Sequence, residues 1–309
     1  MGVTTLPVTA LWRAGKAGRC PAEMGSVATR EIQFQPLEDS EMSLDVLIFD
    51  VDGTLADTEE AHRTAFNLAF ERVRLGWNWS RDDYRQLLKT TGGKERLTAF
   101  IEQLDLSRSE RQRMLAHVPD IHAVKTRFYS SVVHDRAVPL RDGVERMLDE
   151  ALGAGLRLAI ASTTTAVNVD ALLQSTLGSR GLNLFSVIAC GDQVRAKKPA
   201  PDIYRLALHH LGVAPDRAAA FEDSANGLSA AVAAGLWTVV TPTFWTEGSD
   251  FSAAGLVLPS LGSPATPLAG EPGRQLESAA WLTLAELERR AAPARASSAV
   301  TRLYAAASP

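Results

Sequence analysis

Two aspartates one residue apart close an apolar run, Leu44–Phe49, in the order Asp50-Val51-Asp52-Gly53-Thr54. A short apolar run bounded by turn residues reads as a buried parallel strand, which puts both carboxylates at its carboxyl end. Like charges held together at low dielectric repel, so this pair needs an offsetting charge. A divalent cation would supply it and leave one carboxylate free to attack an electrophile. The alternative is a solvated acidic turn, because Asp and Gly are ordinary turn residues.

Three further motifs follow apolar runs or open helices. Ala161-Ser162-Thr163-Thr164 ends the run Leu156–Ala161. Hydroxyls there, with backbone N–H groups in a turn, suit a phosphoryl oxygen, although Ser and Thr after a strand also cap helices. Lys197-Lys198-Pro199-Ala200-Pro201-Asp202 holds a lysine before a proline at a helix start. It could neutralise both phosphate and carboxylate, but most lysines are solvated. Phe221-Glu222-Asp223-Ser224 ends another run with an acidic pair that reads as a magnesium site or as a helix N-cap. Each motif has an ordinary explanation by itself. Together they supply carboxylates for magnesium, a hydroxyl and a lysine for phosphate, and an aspartate to attack. All fall at strand carboxyl ends, where an open parallel sheet binds its ligands.

The elements that must position these groups alternate. Strand candidates are Leu44–Phe49, Leu156–Ala161, Phe185–Ala189, Ala218–Phe221, Leu236–Val240 and, more weakly, Leu256–Leu258. Between them, Asp142–Ala154, Pro201–Leu211 and Ser224–Ala234 show helical periodicity, with Gly155 and Gly235 as stop signals. Alternation of this kind gives right-handed βαβ units and a parallel sheet covered on both faces. About a hundred residues separate the first two strands, far more than one crossover helix needs. There Thr58 can cap a helix with Glu59 and Glu60 in its first turn and Phe66, Ala69, Phe70 and Val73 as its stripe. Further helices are expected over Arg81–Lys89, Lys94–Leu104, Ser109–Ala116 and Ile121–Val133. The expected organisation is an α/β core over 43–57 and 139–262, with an all-helical cap over 58–138 lying across the mouth of the site as a lid. Residues 263–309 are expected to form a loop, a closing helix at Glu277–Arg290 and a frayed tail.

At 309 residues with 46% hydrophobic and 22% charged residues, the composition is that of an ordinary globular protein. A net charge of -4 gives no electrostatic footprint for nucleic acid, and no apolar stretch is long enough to span a bilayer. Cys20 and Cys190 offer no zinc spacing and are not expected to pair, which fits a reducing cytoplasm. Residues 1–42 are read as a disordered leader or a misassigned start. The other reading is a transit peptide, which would point to a plastid: the stretch has no acid before Glu23 and carries Arg13, Lys16 and Arg19.

The four motifs, in this order, resemble those of the haloacid dehalogenase-like phosphatases over about Leu44–Leu258. That resemblance implies a Rossmann-like sheet ordered third-second-first-fourth-fifth strand, with Asp50 and Asp223 on adjacent strands. It makes Asp50 the nucleophile and Asp52 the general acid and base. Ser162, Thr163 and Lys198 would hold phosphate. Asp50, the carbonyl of Asp52 and Asp223 would ligate Mg2+, with Glu222 nearby or acting through water. The second aspartate speaks against a dehalogenase, which has no leaving alcohol to protonate.

Three segments, Leu55–His62, Thr90–Arg96 and Thr241–Gly248, are similar to the CbbY group, which dephosphorylates xylulose-1,5-bisphosphate. The implied cap contacts to substrate are Asp57, where the group more often has Glu, His62, Thr91, Gly92, Gly93, Lys94 and Arg96. A glycine turn opening a helix beside Lys94 and Arg96 could receive a second phosphate, although a helix start with solvated charges has the same look. The expected function is a magnesium-dependent sugar bisphosphate phosphatase acting as a monomer through an aspartyl-phosphate. The alternatives are a sugar phosphomutase on the same scaffold, a phosphatase for another small sugar phosphate, and a non-catalytic protein on a decayed enzyme.

Overall fold

Six parallel strands form one sheet in the order β3-β2-β1-β4-β5-β6 in a computed structural model of the chain, which describes residues 44–292 apart from 137 and 278. The leader, Cys20 and the tail beyond 292 lie outside the described residues. The strands are β1 (Val46–Phe49), β2 (Arg157–Ala161), β3 (Val187–Ala189), β4 (Ala218–Glu222), β5 (Trp237–Val240) and β6 (Leu256–Val257). The predicted order of five strands is the observed one, and β6 extends the edge beside β5.

Side chains alternate across the strands, and each face meets a different set of helices. Leu47, Phe49, Leu158, Ile160, Phe221 and Val239 join one cluster, with Met147, Leu148, Leu172 and Leu173 contributed by the helices Val144–Gly153 and Ala166–Leu177. The opposite face is built from small residues, Ala159, Ala161, Ala218 and Ala220, beside Val46 and Ile48. Alanines there let the helices Asp202–Leu211 and Ala225–Ala233 approach closely, through Ile203, Tyr204, Ala207, Ala230 and Ala231.

Between β1 and β2 the chain leaves the sheet for five helices: α1 (Glu59–Arg72), α2 (Arg81–Leu87), α3 (Gly93–Gln103), α4 (Arg108–Ala116) and α5 (Val118–Arg136). This is the expected all-helical cap, and α5 is longer at both ends than its apolar pattern shows. The capping boxes Ser80/Asp83 and Ser107/Glu110 start α2 and α4. The cap has its own aromatic core of Phe66, Phe70, Trp79 and Tyr84 with Leu97 and Ile101. One member of that cluster, Trp245, comes from the loop after β5. The two chain crossings pair with each other through an antiparallel bridge, Ala56 to Leu140, and a hydrogen bond from the Arg141 N–H to the Leu55 carbonyl at 2.8 Å.

Three local expectations differ. Thr58 precedes α1 but its hydroxyl caps nothing; it donates to Asp52 Oδ1 at 2.5 Å. Strand β3 starts at Val187 because Gly181–Leu184 forms a helical turn. The closing helix begins near 284, where Thr283 Oγ1 accepts from the Glu286 N–H, and a short helix at Gly270–Arg274 lies in a stretch expected to be loop. No helix among the described residues is long and apolar enough to cross a membrane.

Candidate active site

The carboxyl ends of β1, β2 and β4 bring the four motifs into one cavity. Asp50 follows β1 directly, and its N–H donates to the Phe221 carbonyl at 3.0 Å, which locks it beside the end of β4. Lys198, 4% exposed, reaches in from the segment before Asp202–Leu211. Its ammonium donates to Asp50 Oδ1 at 2.6 Å, to Glu222 Oε1 at 2.6 Å and to the Ala161 carbonyl at 2.8 Å. Ser162, Thr163 and Asp223 line the same cavity. Gly53 has φ +86°, and a Cβ there would stand 2.2 Å from Asp223 Oδ2, so only glycine lets the turn after β1 pass this close.

Asp50, Glu222 and Asp223 are buried and offer three carboxylate oxygens within 4.8 Å of one another. Glu222 is already engaged by Lys198 and by the Tyr204 hydroxyl at 2.5 Å. Asp223 makes no ion pair among the described residues. Two of the three carboxylates thus share one ammonium and the third has no cation in contact, and hard oxygens with surplus negative charge fit a small divalent cation. The electrostatics agree. Burial pushes Asp50 up to about 8 despite Lys198 beside it, with Glu222 and Asp52 adding to the rise. Burial, then Asp50 and Glu222, push Asp223 well above the carboxylate range.

Asp52 is treated differently. Burial acts to raise it, but His62, Thr58 and Lys125 outweigh that and hold it at about 2. His62 Nε2 lies 2.9 Å from Asp52 Oδ1, and its Nδ1 meets the Lys125 ammonium. The Tyr129 ring stacks on His62 at 4.1 Å. Burial lowers Lys125 to about 7.

On the cap side, Thr91, Gly92, Gly93, Lys94 and Arg96 line the cavity, as does His62. Gly92 has φ +93°, and a Cβ on Gly93 would come within 2.5 Å of His122 Nε2, so the start of α3 presents bare backbone to the cavity. Lys94 sits on the rim, 3.3 Å from Asp192 Oδ1. Asp57 is exposed and is not among the lining residues; the acid that lines the cavity is Glu59, two residues on.

These positions carry comparison with known proteins. A profile described as haloacid dehalogenase-like hydrolase matches residues 47–241. CbbY of Rhodobacter capsulatus is 50% identical over 225 residues, covering 73% of this chain and 97% of that protein. The chain belongs to the haloacid dehalogenase-like hydrolases, in the CbbY group. Two crystal structures of CbbY from Rhodobacter sphaeroides superpose with a TM-score of 0.66. One, in complex with phosphate, is 45% identical over 72% of this chain and 98% of its own. The other, an Asp-to-Asn variant in complex with xylulose-1,5-bisphosphate, is 44% identical over the same shares.

In this hydrolase sequence reasoning missed Glu59, His122, Lys125 and Asn168, all of which line the cavity. Glu59 was visible as a first-turn acid. Lys125, four residues from both Ile121 and Tyr129, was visible as a charge set in the apolar stripe of α5, whereas His122 carried no signal of its own.

A pH effect follows from the acidic cluster. Below about 4, Asp50 is protonated folded or unfolded, and its burial costs nothing. As pH rises toward its folded value of about 8, the unfolded chain ionises first, so folding must take up a proton and stability falls. Protein dialysed free of divalent cations is expected to lose melting temperature between pH 5 and pH 8. Added magnesium should raise it more at pH 8, where the ion no longer competes with protons. A thermal shift series that is flat in pH, or equal at both ends, contradicts the assigned cluster.

Proposed function

We propose that the chain is a magnesium-dependent phosphatase that dephosphorylates a sugar bisphosphate, xylulose-1,5-bisphosphate first among them, through an aspartyl-phosphate. The observation that carries this reading is Asp50 held 2.6 Å from the Lys198 ammonium at the floor of a cavity roofed by Lys94 and Arg96. The floor suits a phosphoryl group under attack, and the roof suits a second anionic group held away from it. The CbbY structure in complex with xylulose-1,5-bisphosphate supports the choice of substrate.

In this reading an Asp50 oxygen attacks phosphorus while Lys198 and the Ser162 and Thr163 groups take the equatorial oxygens. The bond from phosphorus to the sugar oxygen breaks, and Asp52 gives that oxygen a proton. Asp52 rests as a carboxylate, and the negative charge of a phosphate arriving beside it raises its proton affinity. Water then attacks the aspartyl-phosphate, passing a proton back to Asp52 and freeing Asp50. Thr58 and His62 keep the Asp52 carboxylate in place through both steps. Magnesium, held by Asp50, Asp223 and the Asp52 carbonyl, would neutralise the phosphoryl oxygens. Glu222 fixes Lys198 through Oε1, which also accepts from the Tyr204 hydroxyl, so it would act beside the ion or through water.

The test is phosphate release from a panel of sugar mono- and bisphosphates with and without magnesium. Release from xylulose-1,5-bisphosphate, dependent on the ion, is expected; an isomeric sugar monophosphate as product would instead indicate a mutase. Lys94→Ala should lower kcat/KM for the bisphosphate by about tenfold or more, the scale of one lost charge-assisted contact. Hydrolysis of acetyl phosphate, which has no second phosphate, should change by less than about twofold. Equal losses on both would mean that Lys94 only supports α3 through Asp192.

A further inference from the structure

One hydroxyl joins three helices behind the cavity wall. Tyr84, on α2, is fully buried and is not among the lining residues. Its hydroxyl donates to Glu59 Oε2 at 2.9 Å, at the start of α1, and accepts from Arg96 Nη1 at 2.9 Å, on α3. Glu59 and Arg96 both line the cavity. They carry opposite charges, yet no ion pair joins them; the phenol stands between. It occupies one oxygen of the carboxylate and one N–H of the guanidinium, and leaves each group further capacity to face a ligand.

The phenol is held from several sides. Its ring meets Trp245 edge-on at 5.7 Å and packs against Trp79 at 5.9 Å and Phe66 at 6.3 Å. The Arg96 guanidinium lies 5.1 Å over the same ring, and Arg96 Nε donates to the Leu87 carbonyl at 3.3 Å. The capping box at Ser80 and Asp83 sets where α2 begins, three residues before Tyr84. Burial first, then Glu59, keeps the phenol protonated far above any working pH, so it remains a donor to Glu59 throughout.

We propose that Tyr84 is a positioning residue for substrate choice: its hydroxyl fixes Glu59 and Arg96 at the spacing that reads the hydroxyl-bearing chain of a phosphorylated sugar. A carboxylate accepts from sugar hydroxyls, and a guanidinium donates to carbonyl, hydroxyl or phosphate oxygens. Without the phenol hydroxyl, the two charges are free to close on each other and withdraw from the ligand. The proposal rests on the sugar phosphatase reading above and adds the group that sets its selectivity without touching substrate.

Tyr84→Phe keeps the ring and its packing and removes one atom. Steady-state kinetics on acetyl phosphate and on whichever member of the sugar mono- and bisphosphate panel wild type hydrolyses best separate the two ideas. Wild type preferring a non-sugar ester would end the sugar phosphatase reading, whatever the variant does. The variant-to-wild-type ratio tests Tyr84. The expected result is a loss of about ten- to a hundredfold in kcat/KM for the sugar substrate, carried mainly by KM, with acetyl phosphate changed by less than about twofold. Equal losses on both substrates, or no loss on either, overturn the proposal.

Glu59→Gln in the native background should show the same selective loss, and Tyr84→Phe combined with Glu59→Gln should be little worse than either single change. If Glu59→Gln spares the sugar substrate, Tyr84 has nothing to position. If the two losses simply multiply, the hydroxyl does not act through Glu59. Either outcome overturns the proposal, and the first does so even if Tyr84→Phe folds poorly.

Discussion

Asp50→Asn is expected to lower turnover by about ten-thousandfold or more while leaving the chain folded. An amide nitrogen or carbonyl is a far poorer nucleophile than a carboxylate, and no other carboxylate sits on the Lys198 ammonium with room for a phosphoryl group. Glu222 shares that ammonium but is closed off by the Tyr204 hydroxyl and by Gly227, where a Cβ would stand 1.9 Å from its Oε2. Stability should move the opposite way. The wild-type carboxylate is buried against its own preference, as its rise to about 8 shows, and the neutral amide removes that penalty. Without divalent ions at pH 8, the variant is therefore expected to melt no lower than wild type, and higher if its amide keeps the Lys198 contact. Trapping with labelled substrate and acid quench should find phosphoenzyme in wild type and none in the variant. Turnover within about tenfold of wild type would remove Asp50 from its role.

Lys198→Ala has the second large effect, and it reaches both activity and stability. The ammonium is the counter-charge of Asp50 and Glu222 together, with the Tyr204 ring 5.0 Å away. Burial alone would drive its proton off, but the two carboxylates more than reverse that and raise its proton affinity. Breaking a buried pair by removing one partner leaves the other charge uncompensated, which costs about 3–5 kcal/mol. A loss of that order should appear in urea unfolding of ion-free protein, and magnesium should recover part of it. Turnover should fall by about a thousandfold, because a donor to the transferring phosphoryl group is lost, and magnesium should not restore it. Lys198→Arg is not expected to rescue, since a planar guanidinium cannot fit where a compact ammonium bridges three acceptors. A variant as stable and as active as wild type would show that the lysine is incidental.

Much of this site was legible because its chemistry sits at the ends of strands that are apolar on both faces. Val46–Phe49 and Ala218–Phe221 announce buried parallel strands, so the residues that follow them, Asp50 and Glu222-Asp223, could be placed before any coordinates. The cap was legible as helices but not as a set of contacts. Thr58 has the composition and position of a helix cap, and only three dimensions reveal its hydroxyl turned onto Asp52. Lys125 lies in the apolar stripe of α5 with Ile121 and Tyr129, but its contact with His62 depends on how α5 packs on α1. Asp57 and Glu59 differ by two positions, yet the first is exposed and the second lines the cavity, a choice made by where α1 begins. Trp245 was hidden for another reason: its surroundings are rich in Pro, Thr and Gly and read as loop, and its partners lie more than a hundred positions upstream.

That tryptophan bears on how the enzyme can be taken apart. The stretch from Glu59 to Arg136 has the outline of a portable insert, a unit that could be exchanged between relatives to change their substrates. Its aromatic core nevertheless borrows Trp245 from the loop after β5, and Arg81 and Arg85 lay their guanidinium groups over Phe244 at 4.8 Å and 5.1 Å. A chimera cut at the two crossings alone would carry away a core with a tryptophan-sized hole and leave an apolar side chain stranded on the recipient. The unit of exchange is therefore discontinuous: the five helices together with 243–247. Swaps that honour this boundary should yield folded, retargeted hydrolases where simple insert swaps do not.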